Sequence, residues 1–267
     1  ASLKVADTSG NEDAAISLTI SSALSDSSES LSVVISGVPT GATLSAGNDN
    51  GDGSWTLTTA QLTGLTITPP SNDSADFSLT VTSTSTDGSD TASTVDTIDV
   101  TVNAVADTPS LTVADTSGSE DTAISLTMSS ALADSSESLS VVISGVPTGA
   151  TLSAGNDNGD GSWTLTSAQL SGLTITPPSN DSADFALTVT ATSTDGSDTA
   201  STVDTIDVTV NAVADAPTLS VADTSGSEDT AISLTLSSAL SDSSESLSVV
   251  ISGVPTGATL SAGNDNG

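Results

Sequence analysis

The sequence repeats itself almost unchanged every 108 residues. Leu3, Leu111 and Leu219 each begin the same phrase, which reads LKVADTSGNED in the first copy and LSVADTSGSED in the third. Residues 3–110 and 111–218 differ at eleven positions, mostly exchanges among Ser, Thr and Ala, and residues 219–267 differ from 111–159 at three. An active site is normally built once in a chain, whereas a unit copied this closely is typical of a building block that adds length.

Within each copy, apolar residues alternate with Ser and Thr, which is the pattern of half-buried β-strands. In the first copy the alternating sets are Ile16/Leu18/Ile20, Leu31/Val33/Ile35, Trp55/Leu57, Leu65/Ile67, Phe77/Leu79/Val81 and Ile98/Val100/Val102. No apolar stripe with helical spacing is present, and Ser, Thr and Val dominate, so helix has almost no support. Short strands separated by turn signals predict an all-β fold made of β-sandwiches.

Turn-forming sequences separate the predicted strands. Val38–Gly41 predicts a β-turn with Pro39 at its second position. Asn50–Gly53 and Thr86–Gly88 each predict a hairpin connection. Trp55 and Phe77 are expected to fill the core, since each lies on the apolar side of its strand.

Units of this length suit single domains with their own cores. The segment 103–109 lies between the last strand and the next copy, so we place the domains at 1–108, 109–216 and an incomplete 217–267. A cut near Gly53 would also divide the chain, but it would split a strand pair. The third copy is expected to belong to a longer array, and to be poorly ordered or covered by a neighbouring molecule because its edge strands lack partners.

The charge is one-sided, with 34 acidic residues against a single Lys4, a net charge of −33. Nucleic acids and anionic membrane surfaces both require clustered Lys and Arg, so neither is an expected partner. No apolar run is long enough to insert in a membrane. An acidic, disordered linker is the alternative for such a composition, but the strand periodicity opposes it. The self-repulsion would be relieved by divalent cations.

Catalysis has few candidate residues, since the chain has no His and no Cys. Ser is abundant but has no partner base, and every pair of acids that could hydrolyse glycosides is duplicated 108 residues away. We therefore expect no enzymatic activity. Oxygen ligands are plentiful instead, and Ca²⁺ takes six to eight of them from carboxylates, Asn side chains and carbonyl groups.

The sequence resembles a known class of repeat over its whole length. The phrase ISGVPTGATLSAGNDNGDGSWTLTTAQLTGLTITPP, followed by DFSLTVTSTSTDG and TVDTIDVTVNAVADTP, is similar to the tandem cadherin-like, immunoglobulin-like repeats of giant bacterial adhesins secreted by type I systems, the repeats-in-toxin or biofilm-adhesin class. The resemblance implies an extended array of such sandwiches on the bacterial cell surface, with Ca²⁺ bound between successive domains.

The resemblance also implies which residues hold the ion. At the first junction the implied ligands are Glu12, Asp13, Asp73, Asp76, Asn103 and Asp107 from the first copy, with Asp134, Glu137 and Asp195 from the second. At the second junction they are Glu120, Asp121, Asp181, Asp184, Asn211, Asp215, Asp242 and Glu245, and the third copy repeats the early acids as Glu228 and Asp229.

Several positions depart from the family pattern. Ala106 and Ala214 stand where the family ending usually has Asn, and Asp134 and Glu137 are three residues apart rather than two. We therefore expect one ion per junction rather than three. The third copy has no counterpart of Asp195 within this sequence.

A second possible cation loop is the hairpin Asn48–Gly53, whose spacing imitates the first six positions of an EF-hand. Position twelve is Thr59 rather than a bidentate Glu, and no helices flank the loop, so a plain hairpin turn is the alternative.

The predicted function is a monomeric stalk in which each repeat contacts only the neighbouring repeats of the same chain. Ca²⁺ stiffens the stalk, which projects a ligand-binding tip for cell adhesion or biofilm formation. Neutralising Asp107 and Glu120 is expected to loosen the first joint. The alternative is a repeat that itself binds a glycan, ice or a host protein by avidity. A third possibility is adhesion between parallel stalks, which the net charge opposes unless cations bridge them.

Overall fold

The computed structural model of the protein describes residues 1–264, and almost all of its regular structure is β-strand. Residues 1–108 are called repeat 1, residues 109–216 repeat 2 and residues 217–267 the third copy. Among the described residues, no helix has the length and apolar character needed to cross a membrane.

Repeat 1 contains eleven strands, and their bounds follow the alternating pattern of the sequence. They are β1 (Ser2–Ala6), β2 (Thr8–Asn11), β3 (Ile16–Ser17), β4 (Thr19–Ala23), β5 (Ser30–Ser36), β6 (Thr43–Leu44), β7 (Asn48–Asp49), β8 (Ser54–Leu57), β9 (Thr66–Thr68), β10 (Phe77–Asp87) and β11 (Asp90–Asn103).

Repeat 2 reproduces the same series. Its strands are β12 (Ser110–Ala114), β13 (Thr116–Ser119), β14 (Ile124–Ser125), β15 (Thr127–Ala131), β16 (Ser138–Ser144), β17 (Thr151–Leu152), β18 (Asn156–Asp157), β19 (Ser162–Leu165), β20 (Thr174–Thr176), β21 (Phe185–Asp195) and β22 (Asp198–Asn211). A single-turn 3₁₀ helix occurs in each repeat, at Thr59–Leu62 and Ser167–Leu170, where the sequence had given helix almost no support.

The strands of each repeat form a sandwich. In repeat 1, a six-stranded sheet with the order β2-β11-β10-β5-β8-β7 lies opposite the three-stranded β3-β9-β6 and the pair β1-β4. The first extended segment is split between the two layers, because β1 pairs antiparallel with β4 whereas β2 pairs parallel with β11. This division, together with the antiparallel remainder, is the immunoglobulin-like and cadherin-like sandwich that the sequence predicted.

The inward residues of both layers meet in one core per repeat. Ile35, Leu57, Leu79 and Ile98 are almost completely buried, and Trp55 and Phe77 are half-buried at its margin. The predicted turn near Pro39 is displaced by one residue, since the amide of Ala42 donates to the carbonyl of Pro39 at 3.0 Å and Pro39 is therefore the first residue of the turn.

In the third copy, β23 (Thr218–Ala222) pairs antiparallel with β24 (Thr235–Ala239). Leu219 is 64% exposed and Val221 is 71% exposed, whereas their counterparts Leu111 and Val113 pack against the core of repeat 2. The expectation that 217–267 is poorly ordered or covered by a neighbour stays a prediction, and residues 265–267 lie outside the described residues.

The topology places two sets of acidic loops at opposite ends of each sandwich. One end carries the residues that follow β2, precede β10 and follow β11. The other end carries the loop between β4 and β5 and the β10–β11 hairpin turn, with their counterparts in repeat 2. At the seam, the first set from repeat 1 therefore meets the second set from repeat 2.

Candidate metal centre between repeats

The first linker, residues 104–109, is held by carboxylates from both repeats. The amide of Val105 donates to Glu12 of repeat 1 at 2.8 Å. The next two amides donate to repeat 2, the first to Asp198 at 3.1 Å and the second to Glu137 at 2.5 Å. Three consecutive backbone donors are thus satisfied by charged acceptors, which form stronger hydrogen bonds than neutral ones.

Glu12 is positioned by the end of the parallel strand pair. It directly follows β2, and its amide donates to the carbonyl of Asn103 at 3.1 Å, which continues the pairing of β2 with β11. The residue is only 4% exposed. Its carboxylate is therefore fixed beside the point where the chain leaves repeat 1.

The residue after Glu12 shapes the neighbouring loop. Asp13 adopts a left-handed conformation with φ 54°, and one of its carboxylate oxygens accepts the amide of Asn72 at 3.0 Å. Asn72 is also left-handed, with φ 55°, and its side-chain amide donates to Asp107 at 3.1 Å. The Asp13–Asn72 contact thus brings the loop before β10 against the linker.

Repeat 2 contributes the loop between β15 and β16. The hydroxyl and the amide of Ser136 both donate to the carboxylate of Asp134, at 2.5 and 2.9 Å, and these hydrogen bonds lower the pKa of Asp134. Asp134 is buried, and so is its counterpart Asp242 behind the second linker, whereas Asp26, which no described segment covers, is exposed. The burial of this acid follows from the linker lying against it.

The acids converge on one small volume. Carboxylate oxygens of Glu12, Asp134 and Asp195 all lie within 4.8 Å of one another. Burial raises the pKa of Glu12, and the neighbouring Asp195 raises it further, against the lowering effect of the Val105 amide. The cluster is therefore electrostatically unfavourable as it stands, since two like unit charges about 4 Å apart repel by about 4 kcal/mol at an effective dielectric constant near 20.

The second oxygens of three acids at this seam have no hydrogen-bond partner. They are Glu12 Oε2, Glu137 Oε2 and Asp195 Oδ2, and all three are buried. Buried polar atoms are almost always paired, so each such atom needs an explanation. A bound cation is one explanation, and oxygens from carboxylates are what Ca²⁺ takes as ligands.

Some predicted ligands lie at the same end of repeat 1 but use an oxygen for the backbone. Asp73 accepts the amide of Ala75 at 3.0 Å, and Asp76 accepts the amide of Val102 at 2.8 Å. The side chain of Asn103 donates to the side chain of Asn11 at 3.3 Å. These three residues, with Asp13, fix the loops around the cluster.

The sequence reasoning missed Asp198 and Asn72 as members of this site. Asp198 belongs to the TDGSD phrase, in which an acid stands on each side of the hairpin turn, so the pairing with Asp195 was a usable signal. Asn72 carried no such signal, because its role depends on a left-handed backbone that a non-glycine residue rarely adopts.

The second joint repeats half of this arrangement. Glu120 accepts the amide of Val213 at 2.6 Å, and Glu245 accepts the amide of Asp215 at 2.5 Å. Glu120 Oε2 is again buried without a partner, and Asp242 is 4% exposed. Glu120 thus contacts the second linker, so the expected loosening of the first joint is wrong for Glu120 and stays a prediction for Asp107, which lies in the first linker.

The supporting residues of repeat 2 repeat those of repeat 1. Asp121 accepts the amide of Asn180 at 2.9 Å, Asp181 that of Ala183 at 3.0 Å, and Asp184 that of Val210 at 2.8 Å, while the Asn211 side chain donates to the Gly118 carbonyl at 3.1 Å. Glu228 and Asp229 are exposed, and no described residue lies against them as a linker.

The hairpin Asn48–Gly53 uses its acids for its own turn. Asp49 accepts the amide of Gly51 at 2.8 Å. The hydroxyl and the amide of Ser54 donate to Asp52 at 2.6 and 3.0 Å, and these bonds lower the pKa of Asp52. This arrangement is that of the plain hairpin turn.

Comparison with known proteins gave similarities of structure only. No family model and no curated protein sequence matches the chain. Among solved structures, the titin domains z1z2 in complex with telethonin are 12% identical at a TM-score of 0.31, over 78% of this chain and 94% of that one.

Two further solved structures have similar scores. Drosophila N-cadherin EC1-4 is 13% identical at a TM-score of 0.34, over 79% of this chain and 50% of that one. The SusE-like surface located polysaccharide binding protein BT4661 of Bacteroides thetaiotaomicron is 13% identical at a TM-score of 0.25, over 80% of this chain and 34% of that one.

Proposed function

We propose that the protein is a non-catalytic stalk segment, an array of repeats whose joints are stiffened by Ca²⁺ and which projects an adhesive tip from the bacterial cell surface. The observation that carries the proposal is the set of buried, unpaired carboxylate oxygens contributed by both sides of one seam: Glu12 from repeat 1, and Glu137 and Asp195 from repeat 2. Secretion by a type I system and a role in biofilms are part of the same proposal, supported by the resemblance of the repeats.

Two glutamates at the seam use their two oxygens differently. Glu12 and Glu137 use Oε1 to hold the linker backbone, while their Oε2 atoms are buried without a hydrogen-bond partner. Asn72 fixes the side chain of Asp107 beside them. Ca²⁺, when bound, would supply the positive charge that these carboxylate oxygens lack, and the oxygens would be its ligands. One ion per joint fits the single cluster of three acids.

Without a cation, the chain's own charges oppose a fixed joint. Glu12 belongs to one rigid sandwich and Asp195 to the next, so their repulsion falls when the repeats rotate apart. The two states of the joint therefore differ in how repeat 1 is oriented toward repeat 2. The eleven-residue strand β10 spans about 36 Å at about 3.3 Å per residue, so stiff joints would add substantial reach with every copy.

Small-angle scattering of the protein with Ca²⁺ and with chelator tests this proposal. We expect a longer, narrower distribution of dimensions with Ca²⁺ and a broader one in chelator. The variant Asp195→Asn should show a smaller difference between the two conditions than wild type, because it removes both a ligand of the ion and the charge that repels Glu12. Asp87→Asn, its counterpart at the other end of repeat 1, should behave as wild type. Identical scattering with and without Ca²⁺ would overturn the proposal.

The alternative function is a repeat that binds a glycan or another surface ligand itself. The aromatic side chains that could stack on sugars, Trp55, Phe77, Trp163 and Phe185, are half-buried and pack against the two cores. A glycan array probed with the whole chain separates the two functions, since specific binding supports the alternative and silence supports the stalk.

A further inference from the structure

The β21–β22 hairpin of repeat 2 reaches back across the first linker. Besides the bond between Asp198 and the amide of Ala106, two hydroxyl groups of this hairpin bind linker carbonyls. Ser193 donates to the carbonyl of Asp107, and Thr202 donates to the carbonyl of Pro109 at 2.6 Å. The hairpin thus contacts the linker backbone at three points over four residues.

The tip of the hairpin also covers the start of the linker. A Cβ atom placed on Gly196 would come within 3.8 Å of the Cβ of Ala104, an ordinary packing distance. The same test at Gly88, the tip of the β10–β11 hairpin in repeat 1, meets nothing within 4 Å. The two hairpins are near-identical in sequence, so the contact depends on the linker and not on the hairpin.

The described residues contain no such hairpin at the second linker. The third copy ends, within this sequence, before any counterpart of β21 and β22. Pro217 is exposed where Pro109 is buried, and Ala214 is exposed where Ala106 is 9% exposed. Both linkers keep their bonds to Glu, whereas the hairpin and the rest of its sheet are present only at the first, so the hairpin contributes to the enclosure of the first linker.

We propose that the β21–β22 hairpin is a clamp that orders the preceding linker without any metal, with Asp198, Ser193 and Thr202 as its positioning residues. This inference goes beyond the proposed Ca²⁺-dependent stalk, because none of the three bonds requires an ion. The hairpin comes late in repeat 2 but contacts the linker that precedes repeat 2. Each joint is therefore completed by the last two strands of the repeat that follows it.

The clamp predicts residual order at the first joint in chelator. The chain has no Cys, so Thr63→Cys and Ser171→Cys, at matching exposed sites of the two repeats, allow a pair of spin labels whose distance distribution reports the joint. With all divalent ions removed, we expect Asp198→Ala combined with Thr202→Val to give a broader distance distribution than the otherwise unchanged protein.

The matched control is Asp90→Ala combined with Thr94→Val, the same changes in the hairpin of repeat 1. Thr94 donates to the carbonyl of Ala1 at 3.2 Å as Thr202 does to that of Pro109, but Thr94 does not contact the linker between repeats 1 and 2. The control should leave the distribution unchanged. A distribution that is equally broad in all three proteins, or equally broadened by the control, would overturn the clamp.

Hydrogen exchange in chelator gives a second measurement that does not depend on the double variant. Asp198→Ala removes one hydrogen bond to a charged acceptor, so the amide of Ala106 should exchange roughly tenfold faster. Asp198→Asn retains the acceptor oxygen and should restore most of the protection. Unchanged exchange at Ala106 in Asp198→Ala would contradict the clamp, whereas the effect of added Ca²⁺ on the wild type tests the metal proposal separately.

Discussion

At the residue scale, the two oxygens of Glu12 explain why the joint needs a cation. Oε1 accepts a hydrogen bond from the amide of Val105, so the side chain cannot leave the seam without breaking that hydrogen bond. Oε2 is buried and unpaired beside Asp195. A residue that holds the linker in this way necessarily places negative charge inside the joint.

Replacing Glu12 with Gln separates these two tasks. The amide oxygen can still accept from Val105, while the new NH₂ group can donate to Asp195 in place of the like charge. We therefore expect Ca²⁺ affinity to fall by at least about tenfold while the chelated protein gains about 1 kcal/mol of stability. Calorimetric titration and thermal unfolding in chelator measure the two effects.

The control for Glu12→Gln is Asp26→Asn, which also removes one negative charge but lies at an exposed loop away from the seam. It should change neither the affinity nor the unfolding temperature appreciably. If Glu12→Gln lowered the Ca²⁺ affinity without raising the stability of the chelated protein, Glu12 Oε2 would not be repelled by Asp195.

The acids of the seam were predictable from the sequence, but the use of each oxygen was not. Glu12, Asp134 and Asp195 were all candidates and lie together. Asp73 and Asp76 looked equivalent to them, yet both are exposed, lie outside this cluster and accept backbone amides of repeat 1. That difference depends on the path of the loop before β10, which alternation of apolar residues does not encode.

At the element scale, the strands followed the period-two pattern, whereas the short helices did not follow any pattern long enough to detect. Thr59–Leu62 makes one turn, and its signal was a capping box in which the side chain of Gln61 accepts the amide of Thr58 at 2.8 Å. The split of the first extended segment into β1 and β2 was also missed. Asp7 marks it, accepting the amide of Asp99 at 3.0 Å as the chain crosses between layers.

The parallel pairing of β2 with β11 depends on a glycine. A Cβ on Gly10 would come within 2.6 Å of Cγ1 of Ile16, which is 2% exposed in the core. We expect Gly10→Ala to destabilise repeat 1 by about 1–3 kcal/mol through this overpacking, and to loosen Glu12 two residues away. Denaturant unfolding measures the first effect and Ca²⁺ titration the second.

Ser9→Ala is the control for Gly10→Ala, since Ser9 is an exposed residue of the same strand. It should leave both measurements near the wild-type values. Gly118→Ala, in the same position of repeat 2, should destabilise that repeat by a similar amount, because Ile124 lies 2.6 Å from the corresponding Cβ. A Gly10→Ala protein as stable as Ser9→Ala would show that β2 can shift away from Ile16.

At the scale of the whole molecule, the two joints are unequal although the repeats are nearly identical. The acids of the first joint come from both repeats that meet there, and Asp195 is one of them. This sequence contains no counterpart of Asp195 at the second joint. We therefore expect Ca²⁺ titration to resolve a tighter site at the first joint and a weaker one at the second, since each carboxylate lost from a site lowers its charge and ligand count.

Neutralisation of each joint in turn assigns the two sites. Asp195→Asn should weaken the tighter site until the two affinities approach each other, because it removes the ligand that distinguishes them. Glu120→Gln should abolish the weaker site alone, since Glu120 contacts only the second linker. If Glu120→Gln instead weakened the tighter site, ion binding would be coupled through the body of repeat 2, and the joints would not be the independent units that a stalk built by repetition requires.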